Sequence, residues 1–257
     1  MSEHVTIEDF AGGVRLIRMN RPEKKNALTG AMYDAMRGAL EAADSEASGV
    51  GAVVFAGLPG LFTAGNDLAD FQAGAGRSFA DAPPIAFIRR LARTRTPMVA
   101  AVDGIAIGIG TTLTLHCDLV YASPAARFRM PFVELGLVPE GASSYLLPRR
   151  VGLLKATEML LLSEPFGADA AAALGLANGV VPSDMLLEHA VSQAARLAAL
   201  PRGAVAASRR LIRGDQAAVE AAVEAEAAAF EAQLHSEESQ AAIRSFFDRG
   251  TKPGSAA

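Results

Sequence analysis

The chain has a single cysteine, Cys117, so no intrachain disulfide can form, and the composition suits a reducing compartment. It has no excess of positive charge. Its 24 Lys and Arg stand against 28 Asp and Glu, for a formal net charge of −4 and a pI near 5.6, which argues against nucleic-acid binding through bulk charge. No uninterrupted apolar run is long enough to span a membrane. The longest apolar stretch, 97–115, is broken by Asp103, Gly104, Gly108 and Gly110. No repeat period runs through the chain, and a disordered or fibrous class is excluded. The opening Met1-Ser2-Glu3-His4-Val5 carries neither a basic patch nor an apolar core, so no secretion signal is expected. What is present is 257 residues, 51% of them hydrophobic and 20% charged, enough for one large or two small domains with a buried core. A cytoplasmic, alanine-rich globular protein is expected, with no nucleic-acid or membrane partner.

The apolar pattern changes period along the chain. Val5 to Ile17 reads as a β-hairpin turned at Gly12-Gly13. Thr29 is placed to cap a helix carrying Met32, Met36, Ala39, Leu40 and Ala43 at helical spacing. The runs 50–56 and 98–102 are nearly all apolar, as in strands buried on both faces. Helices are expected over 85–95 and 111–117, strands over 119–122 and 128–130, and a loop over 104–110. This alternation predicts α/β architecture with short parallel strands. Beyond Lys155 the only strand signal is 179–181, and helices are expected over 183–200, 205–212, 216–234 and 237–247. The Ala/Glu-rich run 217–232 has little bulky core, so it either packs closely or lies exposed. A boundary near residue 200 divides the α/β core, 1–200, from a helical region, 201–257.

Two loops share one arrangement, a buried strand leading into a glycine turn that opens a helix. They are Phe62-Thr63-Ala64-Gly65-Asn66-Asp67 and Gly104-Ile105-Ala106-Ile107-Gly108-Ile109-Gly110. The first N–H groups of a helix are unpaired and carry partial positive charge, so two such ends facing one oxygen make an oxyanion hole. Ordinary tight turns explain each loop equally well. Leu113 stands where a dinucleotide fingerprint needs its third glycine, and no lysine follows as a P-loop requires. Ser143 fails as an elbow nucleophile because Tyr145 replaces the closing glycine. His116 lies beside Cys117 and Asp118 without metal-ligand spacing, and reads as a buried polar residue or helix-end cation. Glu134 and Glu140 flank an apolar stretch, where desolvation would raise a carboxylate toward general-base use. A solvent-exposed loop glutamate is the alternative for each. Lys24-Lys25 is a small basic patch, or two ordinary solvated lysines.

Taken together these stretches resemble the crotonase superfamily, the enoyl-CoA hydratases and isomerases, across nearly the whole chain. The resemblance is carried by Asn20-Arg21-Pro22-Glu23-Lys24-Lys25-Asn26-Ala27-Leu28, by 62–68 and 101–108, by Cys117-Asp118-Leu119-Val120-Tyr121-Ala122, and by 246–253 at the C-terminal end. It implies a crotonase-like spiral of ββα units, a C-terminal helical region that builds trimers or hexamers, and an acyl-CoA thioester ligand with no further cofactor and no metal. It places the oxyanion hole at the backbone N–H groups of Asn66 and Ile109, within the turns of Gly65 and Gly108. By the same resemblance Lys24, Lys25 and Ala27 fall against the CoA nucleotide, and Ala64, Asp67 and Leu68 beside the pantetheine and adenine. Phe246 and Lys252 fall near the CoA of an adjoining site.

The departures are informative. Hydratases of this superfamily use two glutamates, and their positions match Thr112 and Phe132, which line the substrate here but cannot transfer a proton as a carboxylate does. Glu140, in Leu137-Val138-Pro139-Glu140-Gly141-Ala142, is similar instead to the acid of peroxisomal-type 3,2-trans-enoyl-CoA isomerases. The expected activity is therefore double-bond isomerisation with Glu140 as base. Hydration by an atypical site, another CoA-thioester reaction, or a non-catalytic thioester-binding role are the alternatives.

Overall fold

The computed structural model describes residues 2–73 and 81–250. The N-terminal hairpin forms as expected from β1 (Val5–Phe10) and β2 (Val14–Met19). Helix α1 (Gly30–Ala43) starts where the Thr29 hydroxyl accepts the Met32 N–H at 3.4 Å, and the apolar stripe read from the sequence is its buried face. The chain then alternates. β3 (Ala52–Ala56) and β4 (Leu61–Thr63) precede α2 (Leu68–Ala73) and α3 (Pro83–Arg93). β5 (Met98–Val102) and β6 (Ile105–Ile107) precede α4 (Ile109–Thr112), which tightens into a 3-10 turn as far as His116. β7 (Leu119–Ala122) and β8 (Arg127–Arg129) precede α5 (Ser143–Val151) and α6 (Leu153–Leu161). The rest is β9 (Phe166–Gly167), α7 (Ala168–Ala173), β10 (Gly179–Val180), α8 (Ser183–Ala198), α9 (Arg202–Arg213), α10 (Gln216–Leu234) and α11 (Glu237–Gly250).

Two sheets result. The larger has the order β1-β2-β3-β5-β7-β10, parallel except at the hairpin, and the smaller has β4-β6-β8-β9 with β9 antiparallel. Each of the pairs β3/β4, β5/β6 and β7/β8 puts its first strand in the large sheet and its second in the small one, stepping over by one strand each time. This is the crotonase-like ββα spiral. The step between sheets needs a sharp corner. At Gly104 the backbone is left-handed (φ 73°) and a Cβ would lie 1.9 Å from the Gly60 carbonyl oxygen, so only glycine fits.

Helices cover both faces of the large sheet, which is why its strands read as continuous apolar runs. Leu16, Val54 and Val99 face Leu186, Ala190 and Ala194 of α8. The alternate residues, among them Ile17, Phe55 and Ala100, face the main core with α1 and α3. Three sequence expectations need correction. The stretch 104–110 is not wholly loop, because Ile105–Ile107 is a strand of the small sheet, as is Leu61–Thr63. A strand signal was missed at Phe166–Gly167, and the helix expected over 111–117 is α4 from Ile109 followed by the 3-10 turn. Strands of two or three residues carry little alternation, so these were not read although 128–130 and 179–181 were.

The segment beyond residue 200 shares the main core. Val219, Val223, Ala227 and Phe230 of α10 are buried in it, whereas α9 buries none of its residues. α9 is held by ion pairs from Arg209 (2.7 Å) and Arg213 (3.0 Å) to Asp118. Deleting the chain from residue 200 should therefore yield aggregated, inactive protein. Size-exclusion chromatography and circular dichroism check this, and a monodisperse fragment with cooperative unfolding would contradict it.

Candidate active site

The first glycine loop is tied down by Asn26, a buried residue whose backbone is left-handed (φ 54°). Its side-chain oxygen accepts the Arg21 N–H at 2.6 Å, and its amide group donates to the Phe62 carbonyl at 2.9 Å. The Thr63 hydroxyl returns a hydrogen bond to the Asn26 carbonyl at 2.6 Å, and the Ala64 N–H donates to Lys25 at 2.9 Å. Segment 24–26 is thus bound to the loop it follows in space. Sequence reading missed Asn26 as the residue that holds the loop, although it stands inside the family-like stretch.

Asp67 opens α2. Its carboxylate accepts the Ala69 and Asp70 N–H groups at 3.0 and 3.2 Å and pairs with Arg21 at 2.6 Å. Burial works against its charge, but the Arg21 guanidinium and these amides outweigh it and hold the carboxyl below the usual carboxylate range.

The two loops meet at Gly65. Its backbone is left-handed (φ 89°), and a Cβ there would sit 2.8 Å from the Ile107 carbonyl oxygen. Leu28 bridges to this loop by donating to Gly65 and accepting from Asp67, both flanking Asn66. The amide of Asn66 consequently faces away from Leu28. Ile109 is the first residue of α4, where no helical acceptor exists. Among the described residues neither the Asn66 nor the Ile109 N–H has an acceptor. Gly65→Ala should cost about 1–3 kcal/mol through backbone strain alone and should push the loops apart. Thermal melts and initial rates check this, and unchanged values in both would show that the close approach is dispensable.

A cavity of about 360 Å³ opens at this junction. Its walls include Lys24, Ala27, Ala64, Gly65, Asn66, Asp67, Leu68, Gly108 and Phe132, with Leu135, Leu137 and Phe230 among the apolar lining. Lys25 is exposed beside it without forming a wall. Ile109 is buried, with its side chain in the core. The Phe246 side chain and Lys252 lie outside the described residues, as do 74–80 of the stretch expected to shape an acyl pocket. A larger cavity of about 890 Å³ runs beneath α9 past Cys117, Asp118 and Ile212, but it contains none of these loop residues.

Neither Glu140 nor Thr112 is among the residues that wall this cavity. Both are buried, and the Thr112 hydroxyl donates to Glu140 Oε1 at 2.5 Å. Thr112 thus contacts the acid and is not among the cavity's lining residues. α4 thus carries one unpaired amide at its start and the partner of Glu140 one turn later. On the other side Tyr33, itself within the field of Glu140, donates its hydroxyl to the Asn66 side-chain oxygen. Burial pushes Glu140 up to about 8. The Thr112 hydrogen bond opposes that rise and the charge of Glu226 adds to it. Glu134 is no rival, since it is exposed and pairs with Arg129 at 2.6 Å. Burial drives His116 down to about 4, so its ring is neutral, and Nε2 lies 2.8 Å from the Gly141 carbonyl. That matches the buried polar reading and removes the cationic one. Among the described residues no three His, Cys, Asp or Glu side chains are grouped to hold a metal ion.

The sequence pattern of the family described as "Enoyl-CoA hydratase/isomerase" matches residues 9–253. A probable enoyl-CoA hydratase of Rhizobium meliloti is 37% identical over 201 residues, covering 77% of each chain. Enoyl-CoA delta isomerase 2 of Rattus norvegicus is 36% identical over 247 residues, covering 94% of this chain and 63% of that protein. Among solved structures, Pseudomonas aeruginosa OdaA superposes with a TM-score of 0.90 at 41% identity, over 95% of this chain and 99% of its own. An enoyl-CoA hydratase/isomerase from Pseudoalteromonas atlantica T6c gives a TM-score of 0.90 at 38% identity, over 99% and 100%.

Proposed function

The chain belongs to the enoyl-CoA hydratase/isomerase family, and from that premise we propose that it is an enoyl-CoA isomerase that moves a double bond into conjugation with a thioester. The observation that carries this reading is a buried acid, Glu140, hydrogen-bonded to Thr112 one turn beyond the unpaired Ile109 amide, with a hydroxyl at Thr112 and a phenyl at Phe132 where a hydratase would place its carboxylates. The names of the relatives divide between hydratase and delta isomerase, so the choice rests on these side chains.

In this reading the thioester oxygen lies between the N–H groups of Asn66 and Ile109. As the α proton leaves, negative charge collects on that oxygen. Each preorganised donor of this kind contributes ~3–4 kcal/mol in the transition state. Glu140 takes the proton from the α carbon of a 3-enoyl thioester, the β–γ electron pair shifts to α–β, and Glu140 returns the proton to the γ carbon. One base serves both transfers, and no cofactor is needed beyond the CoA carried by the substrate. Lys24, Ala27, Ala64, Asp67 and Leu68 hold the CoA portion along the mouth of the cavity, with Lys25 beside them.

The exposed apolar residues fit a homotrimer or a dimer of trimers. Leu153 and Leu154 of α6 are 71% and 87% exposed, and Leu211 and Ile212 of α9 are 79% and 84% exposed. The region 201–257 contributes to that assembly through α9. Among the described residues no helix is long and apolar enough to cross a membrane. A cytoplasmic location is proposed from the single free cysteine, which suits a reducing compartment. The test is purified protein mixed with a 3-enoyl-CoA, following the absorbance of the conjugated thioester. Binding of the thioester without any conjugation would leave a non-catalytic binder.

A further inference from the structure

We infer that Glu226, on α10, is a positioning residue for the base: its carboxylate fixes the turn that follows Glu140 and sets a second negative charge behind it. The inference rests on the isomerase reading and deepens it.

The buried face of α10 runs Val219, Val223, Glu226, Ala227, Phe230, all apolar but one. Glu226 is only 7% exposed. A carboxylate in such a face is strongly destabilising unless hydrogen bonds hold it. Three do. The Ala142 N–H donates to one oxygen at 2.6 Å, and the Ser144 N–H and hydroxyl donate to the other at 2.8 and 2.5 Å. Ala142 adopts a left-handed backbone (φ 55°), which an alanine rarely holds without outside support. Its N–H is the one aimed at Glu226. The carboxylate also lies at the start of α5, where the helix dipole favours negative charge.

The turn is thus held from three elements at once. Thr112 of α4 holds the Glu140 side chain, His116 holds the Gly141 carbonyl, and Glu226 holds residues 142 and 144. Glu140 has one hydroxyl for support and Glu226 has three donors, so Glu226 is the first of the pair to ionise and Glu140 bears the repulsion. Burial pushes Glu226 to about 7 against the pull of its donors, while Glu140 stands at about 8. The two protons are coupled.

Charges on the other elements packed against α10 are engaged elsewhere. On α3, Arg89 pairs with Glu224 and Arg93 with Glu220, while on α5 Arg149 lies over the Tyr145 ring and Arg150 donates to the Leu115 carbonyl. Glu231 and His235 lie farther along the α10 end, and Glu237, Glu238 and Arg244 lie on α11. Near Glu140, His116 is neutral and Tyr33 keeps its proton, its pKa raised well above the usual phenol value by burial and the neighbouring acids.

The experiment measures kcat/KM against pH for wild type, Glu226→Gln and Glu140→Gln. Glu226→Gln keeps the shape and an acceptor but removes the charge. Its acid limb should move about one unit to lower pH, and its plateau should fall several-fold because a less basic Glu140 is a weaker proton acceptor. A lower plateau with an unmoved limb would reduce Glu226 to a structural strut and overturn the inference, as would an unchanged profile. The reciprocal measurement holds even if Glu226→Gln folds poorly. In 13C-glutamate-labelled wild type the Glu226 carboxyl should titrate before that of Glu140, and in Glu140→Gln it should titrate at the same pH as in wild type; a Glu226 carboxyl that titrates after Glu140 would overturn the inference. Full activity in Glu140→Gln would instead remove the isomerase reading itself.

Discussion

Glu140→Gln should lower isomerase turnover by at least ~100-fold, the scale of a lost general base, while thioester binding persists. The glutamine keeps an oxygen for the Thr112 hydroxyl and fills the same buried volume, so the loss tracks proton transfer rather than folding. The same substitution should also change stability with a definite sign. Glu140 is raised from the ordinary 4.5 to about 8 in the folded protein, so the native state holds a proton that the unfolded chain releases. That contribution is complete below about 4.5 and is lost as pH rises through about 8. Glu140→Gln has no such proton to lose, so its melting temperature relative to wild type should rise across that window. Calorimetry at acid and alkaline pH measures this. Near-wild-type turnover in Glu140→Gln would move the base to another residue.

The parts of this protein that were legible in the sequence are those built from many residues in register. The all-apolar runs 52–56 and 98–102 declared a sheet covered on both faces, and the Met32/Met36/Leu40 stripe declared α1, because burial along a whole element repeats one signal several times. The two glycine turns were legible for a different reason. A glycine turn leading into a helix start is a local pattern, although only Gly65 against Ile107 shows that the two turns touch. Of the small sheet only β8 was legible; β9 is two residues long and depends on pairing with β8 far away in sequence. Nor was Glu226. In Ala225-Glu226-Ala227 it looks like one more solvated glutamate, and its burial is set by where α10 crosses α5.

Hydration of a 2-enoyl-CoA should be slower than isomerisation of a 3-enoyl-CoA by at least ~100-fold, and the reason lies in how water must be handled. Adding water across the conjugated bond requires a group that orients and deprotonates the nucleophile at the β carbon and a group that delivers a proton to the α carbon. Thr112 is fully buried and spends its hydroxyl on Glu140, so it has no proton-accepting capacity for water. Phe132, 4% exposed and walling the cavity beside Gly108, presents an apolar ring where a second carboxylate would stand. Glu140 alone can serve one of the two roles but not both at opposite ends of the bond, whereas the isomerase shuttle asks it only to carry one proton along one face. The two activities can be followed in the same preparation, by the loss and the gain of conjugated-thioester absorbance. Thr112→Glu offers no simple gain of hydration, because a second carboxylate beside Glu140 and Glu226 would crowd three acids into one buried site and force at least one to stay protonated. Hydration at a rate comparable with isomerisation in the wild-type protein would show that Thr112 and Phe132 do not decide the reaction.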